Sequence, residues 1–173
     1  MAHFRAGAFG VCMVFFMALA GLAGWPRTWL TVRDAGDLRY AFLVQEDSRF
    51  SLAWTHSVEK ENWVETFGID DHAIVLISTR FKTFGAGVPA NAGRDTRFEN
   101  GWVVMDAIDR VVDPLAVQAA SAEHYRMRYA GRWFALAQAG EAPILTFAVR
   151  RGAAIGMWAG IVGAWRAADT GKP

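Results

Sequence analysis

The sequence predicts an all-β protein: a compact antiparallel β-sandwich or barrel-like domain over residues 27–150, preceded by an N-terminal transmembrane helix and followed by a short apolar C-terminal helix. Three observations carry this. Apolar and polar residues alternate with period two through the middle of the chain, as in strands with one buried face. Turn residues recur at short intervals between these runs, the pattern of sandwiches and barrels. The apolar excess, in a chain that is 53% hydrophobic, gathers at the two ends.

The first end spans residues 1–26. Residues 6–25, AGAFGVCMVFFMALAGLAGW, carry no charge. As a helix they extend roughly 30 Å, the thickness of a bilayer core. Trp25-Pro26-Arg27 closes the run with an aromatic anchor, a helix stop and a positive charge. A cleaved signal peptide, with Ala18-Leu19-Ala20 as its small-residue site, is the competing reading. Both carry the following domain across a membrane. Cys12 is the one cysteine, so no internal disulfide is available. It follows Phe9-Gly10-Val11, which does not suit a lipid-attachment site.

In the middle, Leu38–Phe42 follows the turn signal Asp34-Ala35-Gly36-Asp37. Strand 49–56 places Phe50, Leu52, Trp54 and His56 on one face. Strand 62–69 does the same for Trp63, Glu65, Phe67 and Ile69. Ala73–Ile77 is an apolar central strand, and Gly101–Met105 is another. Residues 124–129, 133–136 and 144–149 complete the set. No phosphate-loop or dinucleotide glycine spacing occurs.

Residues 151–173 form an apolar, Gly-rich C-terminal helix and tail. GAAIGMWAGIVGAW, residues 152–165, is uncharged but only about 21 Å long as a helix, short for a span. Gly152, Gly156, Gly160 and Gly163 fall near one helix face and allow close backbone approach, as in packed membrane helices. Two placements compete: a buried or interfacial helix closing the soluble domain, or a short span or re-entrant segment against a larger membrane protein.

The stretch THSVEKENWVE, residues 55–65, holds the densest chemistry: His56, Ser57, Glu59, Trp63 and Glu65. If strands 49–56 and 62–69 turn their apolar faces to the core, His56 and Glu65 meet near one end of the hairpin. Buried ionisable groups are costly unless paired, which predicts a His56–Glu65 hydrogen bond or ion pair that fixes the hairpin register. Catalysis would need a nucleophile held by His56. The adjacent Ser57 points to the opposite strand face unless the turn begins there. Zinc would need three or four ligands, and His56, Glu59 and Glu65 meet only if the loop folds back. No catalytic residue, metal or cofactor is therefore assigned. A second stretch, TRFKTFGAGVP at residues 79–89, turns the chain at Gly85, Gly87 and Pro89. It is a tight corner at a sheet edge or a loop where a partner's backbone or a small anion approaches.

The chain's net charge of +1, with no Lys/Arg-rich run, gives no field for nucleic acid. Together, Trp-Thr-His-Ser-Val-Glu, Trp-Val-Glu-Thr-Phe, Phe-Gly-Ala-Gly-Val-Pro and Asn-Gly-Trp resemble the domain-of-unknown-function 1850 family over roughly residues 28–150. The resemblance marks His56, Ser57, Glu65, Gly85, Gly87 and Pro89 as motif positions. It implies neighbourhood with tripartite ATP-independent periplasmic (TRAP) transporters of the TAXI type, which pair a solute-binding protein with a sodium-coupled membrane component. The expected function is a non-enzymatic, membrane-anchored accessory subunit. Its partners would be the transporter's membrane subunit and its TAXI solute-binding protein. Its place would be the bacterial inner membrane, single-pass or two-pass, with the β domain in the periplasm. The alternative is a secreted periplasmic hydrolase or metal-binding β protein using His56 and nearby acids.

Overall fold

The structure, a computed structural model, describes residues 13, 17, 21, 23–70, 72–84 and 92–168. Among the described residues twelve strands run in order: β1 Pro26–Asp34, β2 Asp37–Leu43, β3 Arg49–Thr55, β4 Asn62–Ile69, β5 Ile74–Phe81, β6 Asp95–Glu99, β7 Trp102–Asp106, β8 Arg110–Val111, β9 Leu115–Gln118, β10 Arg126–Tyr129, β11 Arg132–Ala135 and β12 Ile144–Ala153. Among the described residues a helix, α1, covers Trp158–Ala167, and residues 13, 17, 21, 23 and 24 are also helical. The strands form two antiparallel sheets. The smaller has the order β2-β1-β12-β9. The larger has the order β11-β10-β3-β4-β5-β7-β6, with β8 paired to β5.

The alternation seen in the sequence builds the core. Leu30 and Val32 of β1, Phe42 of β2, and Leu145 and Phe147 of β12 meet Phe50, Leu52, Phe67, Ile74 and Met127 of the larger sheet. The two sheets are thus packed face to face around one apolar layer. Three hydrogen bonds join β2 to the β10–β11 side: Tyr129 Oη donates to Leu43 O at 2.7 Å, Arg39 Nη1 to Leu136 O at 2.9 Å and Tyr40 Oη to Ala135 O at 3.3 Å. Two-residue turns with positive φ at both positions close three hairpins: Ala35-Gly36, Asn100-Gly101 and Ala130-Gly131. Their twist matches that of paired strands, and glycine takes the second position without steric cost.

Several strands exceed the expectation from sequence. Thr28 to Arg33 belong to β1, whose partner β12 lies at the far end of the chain, with Pro26 opposite Ala153 and Asp34 opposite Leu145. β12 therefore runs on to Ala153, and Gly152 is a strand residue. Gly156 sits in the 3-10 turn Ala154–Met157. The expected helix over 152–165 is corrected to Trp158–Ala167, because pairing with β1 supplies the backbone of 150–153 with hydrogen bonds a glycine-rich helix start would lack. His124, expected at the start of a strand, instead caps a 3-10 turn with φ 54°.

α1 packs chiefly on β2 and touches β11, edge strands of the two sheets. It covers an edge that would otherwise offer unpaired backbone groups. A Cβ at Gly160 would lie 2.7 Å from Ala41 N and 2.8 Å from Tyr40 C, and one at Gly163 would strike Arg39 O. Close backbone approach is what these glycines provide, and β2 of the same chain is what they approach. No helix among the described residues is long and apolar enough to cross a membrane. Most of the expected transmembrane segment, with Cys12 and Ala18–Ala20, lies outside the described residues.

Gly160→Ala is expected to destabilise the fold by roughly 1–3 kcal/mol through overpacking, outweighing the helix-propensity gain. Gly156→Ala, where a Cβ meets nothing within 4 Å, serves as the control. Thermal unfolding of both variants is the check: a clear drop in Tm for Gly160→Ala alone.

Candidate functional site

The hairpin β3–β4 places the marked residues. Trp54 pairs with Trp63, Leu52 with Glu65 and Phe50 with Phe67. Beyond the strands, His56 N–H donates to Glu61 O at 2.8 Å and Lys60 N–H to His56 O at 2.9 Å. Lys60 takes φ 54° to close the loop. His56, Trp54 and Leu52 share the inward face with Trp63, Glu65 and Phe67, as alternation requires.

On that face the rings form a ladder across the larger sheet. Tyr125 stacks on Trp54 at 5.1 Å between centroids, Trp54 on Trp63 at 5.5 Å, and Trp63 meets Phe81 at 5.1 Å. Phe81 meets Phe84 at 5.3 Å, and Phe84 meets Phe98 at 6.4 Å. His56 also stacks on Trp63 at 5.4 Å. Centroid spacings in this range are favourable beyond burial alone. The Trp63 indole N–H donates to Thr79 Oγ1 at 2.7 Å, so its polar edge is satisfied inside the protein. The smaller sheet does not build this half of the inward face: Trp63, Phe81, Val103 and Met105 form a cluster of their own. At the outer end of the ladder, Phe84 and Phe98 are 53% and 78% exposed.

A β-bulge makes the ladder continuous. Between β4 and β5 the register slips: Phe67 lies opposite Leu76, but Thr66 lies opposite Ser78. Ile77 is the extra residue, and it changes the parity of β5. Ile74 and Leu76 face inward before it, Thr79 and Phe81 after it. Simple alternation along residues 73–81 assigns Thr79 and Phe81 to the wrong side or to none. Tyr125, Phe84, Phe98 and Arg110 also carry no local sequence signal of their shared face, because long-range pairing assembles it.

Glu65 stands at the border between core and ladder. Its strand neighbours are Trp63 and Phe67, and its cross-strand neighbours are Leu52 and Thr79; all four are buried. Among the described residues its carboxyl has no hydrogen-bond partner. Burial raises its pKa from 4.5 to about 7, and the charge of Arg110 opposes this more weakly. The Tyr125 hydroxyl is pushed up to about 12, first by burial and then by the charges of Glu123 and Glu65.

The expected His56–Glu65 bond does not form. Glu65 lies opposite Leu52, four residues from His56, or about 13 Å along the strand, and the Trp54–Trp63 pair fills the interval. His56 Nδ1 instead accepts the Glu59 N–H at 3.3 Å. Among the described residues His56 bonds to no carboxylate and no hydroxyl, and Ser57 is exposed on the turn. Beside His56, a crevice of about 10 Å³ is lined by Glu59, Glu61, Asn62, Trp63, Phe81 and Lys82, room for about one water. Among the described residues no three of His, Cys, Asp and Glu lie close enough to hold a metal. Gly85, Gly87 and Pro89 lie outside the described residues. The close approach visible nearby is at Gly93, where a Cβ would strike Asp106 O; the sequence reading did not mark it.

A family model described as a domain of unknown function (DUF1850) matches residues 50–136. The matched stretch runs from β3 to the end of β11 and contains the ladder, His56 and Glu65. No curated protein and no solved structure matches the chain.

Because the folded pKa of Glu65 exceeds its unfolded value, ionisation opposes folding. The penalty is absent below about pH 4.5, grows as pH rises, and is complete above about pH 7. At roughly 1.4 kcal/mol per pKa unit it reaches about 3 kcal/mol. Glu65→Gln is expected to match the parent near pH 4.5 and to be more stable at pH 8. Urea unfolding at both pH values checks this; equal stability of variant and parent at pH 8 would contradict it.

Proposed function

This chain belongs to the DUF1850 family, and from that premise we propose that it is a membrane-anchored accessory subunit of a TAXI-type TRAP transporter. In this reading it sits in the bacterial inner membrane with its β domain in the periplasm. It aids assembly or stability of the transporter, or docks the solute-binding protein, and carries out no turnover.

One observation carries the reading. A ladder of aromatic rings crosses the inward face of the larger sheet and ends in exposed Phe84 and Phe98, while His56 spends its Nδ1 on its own turn. Exposed aromatic side chains at the end of a rigid, buried stack are the anchors that protein partners bury. A hydrolase would need a base bonded to a nucleophile, and His56 is bonded to none among the described residues. The uncharged run 6–25 supports the tether.

The test is co-purification in mild detergent of the full chain with the transporter subunits co-expressed from its locus. The parent chain is expected to travel with them. Phe98→Ala is expected to lower recovery about tenfold, the loss of one aromatic anchor of roughly 1–2 kcal/mol. Its Tm should not change, since the ring is mostly in water. A parent chain that never accompanies those subunits would sink the proposal.

A further inference from the structure

We infer that the outward face of α1, with the turn before it, docks on the surface of a phospholipid bilayer at the boundary of headgroups and acyl chains. The inference rests on the tethering in the proposed function and adds which surface of the β domain lies against the membrane.

α1 is apolar almost all round, WAGIVGAWRA. A helix of that kind is normally buried on every side or in contact with lipid. One face is taken by β2, where Gly160 and Ala164 are buried. Trp158, Val162 and Trp165 follow helical spacing onto the opposite face, and Ile155 lies in the 3-10 turn before it. Ile155 is 76% exposed, Trp158 67% and Trp165 72%. Tryptophan is enriched at membrane interfaces because its ring is apolar and its N–H needs a wet partner. Charge does not oppose the contact: between Glu141 and Asp169 the chain has three arginines and no acid.

The place of the strip identifies what covers it. Pro26 pairs with Ala153, so the uncharged run 6–25 ends beside the start of the strip. Trp25, the last residue of that run, is 70% exposed. A tether at that point holds the strip near the bilayer at high effective concentration. The end of the domain is a poor alternative. His72 of the β4–β5 turn shares a cleft of about 390 Å³ with Pro26, Thr28 and Arg151, which brings the Asp70 carboxylate to that end. Asp70 accepts the N–H groups of His72 and Ala73 there. A carboxylate resists entry into hydrocarbon, so the domain leans on its helix side and does not stand on its end.

The full chain, with Cys12→Ser and one new cysteine at a time, tests this. Trp158→Cys and Trp165→Cys carry an environment-sensitive fluorophore in phosphatidylcholine vesicles that contain this chain and no other protein. Val111→Cys, at a residue 63% exposed on β8, is the control. Probes at 158 and 165 are expected to lose most of their emission to nitroxide-bearing lipid and little to aqueous iodide, and the probe at 111 the reverse. A chain that floats with vesicles but leaves both helix probes open to iodide overturns the docking and leaves the tether standing. Shielding only after transporter subunits are added makes the strip a protein contact and also overturns it. A chain that does not float removes the tether and the docking together.

Discussion

Trp54 opposite Trp63 is the pairing on which the rest of the structure depends. It fixes which way β3 and β4 face. With that register, Phe50 and Phe67 stack in the core at 4.7 Å, and the two indoles begin the ladder. A slip of one residue would send the inward set of one strand to the outer face, either Phe50, Leu52 and Trp54 of β3 or Trp63 and Phe67 of β4. The same register sets Glu65 among buried neighbours and separates it from His56. A carboxyl that shifts its pKa to about 7 is the cost of that placement. The fold tolerates it because the neutral form is available near physiological pH.

The larger sheet therefore has one inward face with two fates. Over β10, β3, β4 and the start of β5, the smaller sheet covers it and builds the main core. Past the bulge at Ile77, the sheet continues through β7 and β6 with a separate aromatic cluster. The contact surface proposed above lies in this second region, whose rings end in side chains exposed to water. Chain ends play a matching role. β1 and β12 pair along their full length and bring the end of the uncharged run next to the start of the C-terminal helix.

Local signals in the sequence made much of this legible. Period-two alternation locates β3, β4, β10 and most of β12, and Ala35-Gly36 marks a hairpin. The inward faces of His56, Trp63 and Glu65 follow from counting residues by twos. What stayed hidden depends on pairing between distant segments. β1 reads weakly, since its partner β12 is more than a hundred residues away. The bulge at Ile77 breaks the count that would have placed Thr79 and Phe81. The His56–Glu65 bond was expected because both groups face the core, but register along the strand, which two-residue periodicity does not give, keeps them apart. The C-terminal glycines signalled close helix packing. Their spacing carried no information that the surface approached would be β2.

The claim that the exposed end of the ladder is the contact surface is most directly tested by photo-crosslinking in native membranes. A photoreactive side chain is placed at Phe98 of the full chain, or at Arg128 on the outer face of the same sheet, with the TAXI transporter subunits co-expressed. The account predicts covalent adducts to a transporter subunit or its solute-binding protein from position 98 and none from position 128. Adducts from position 128 alone would contradict it.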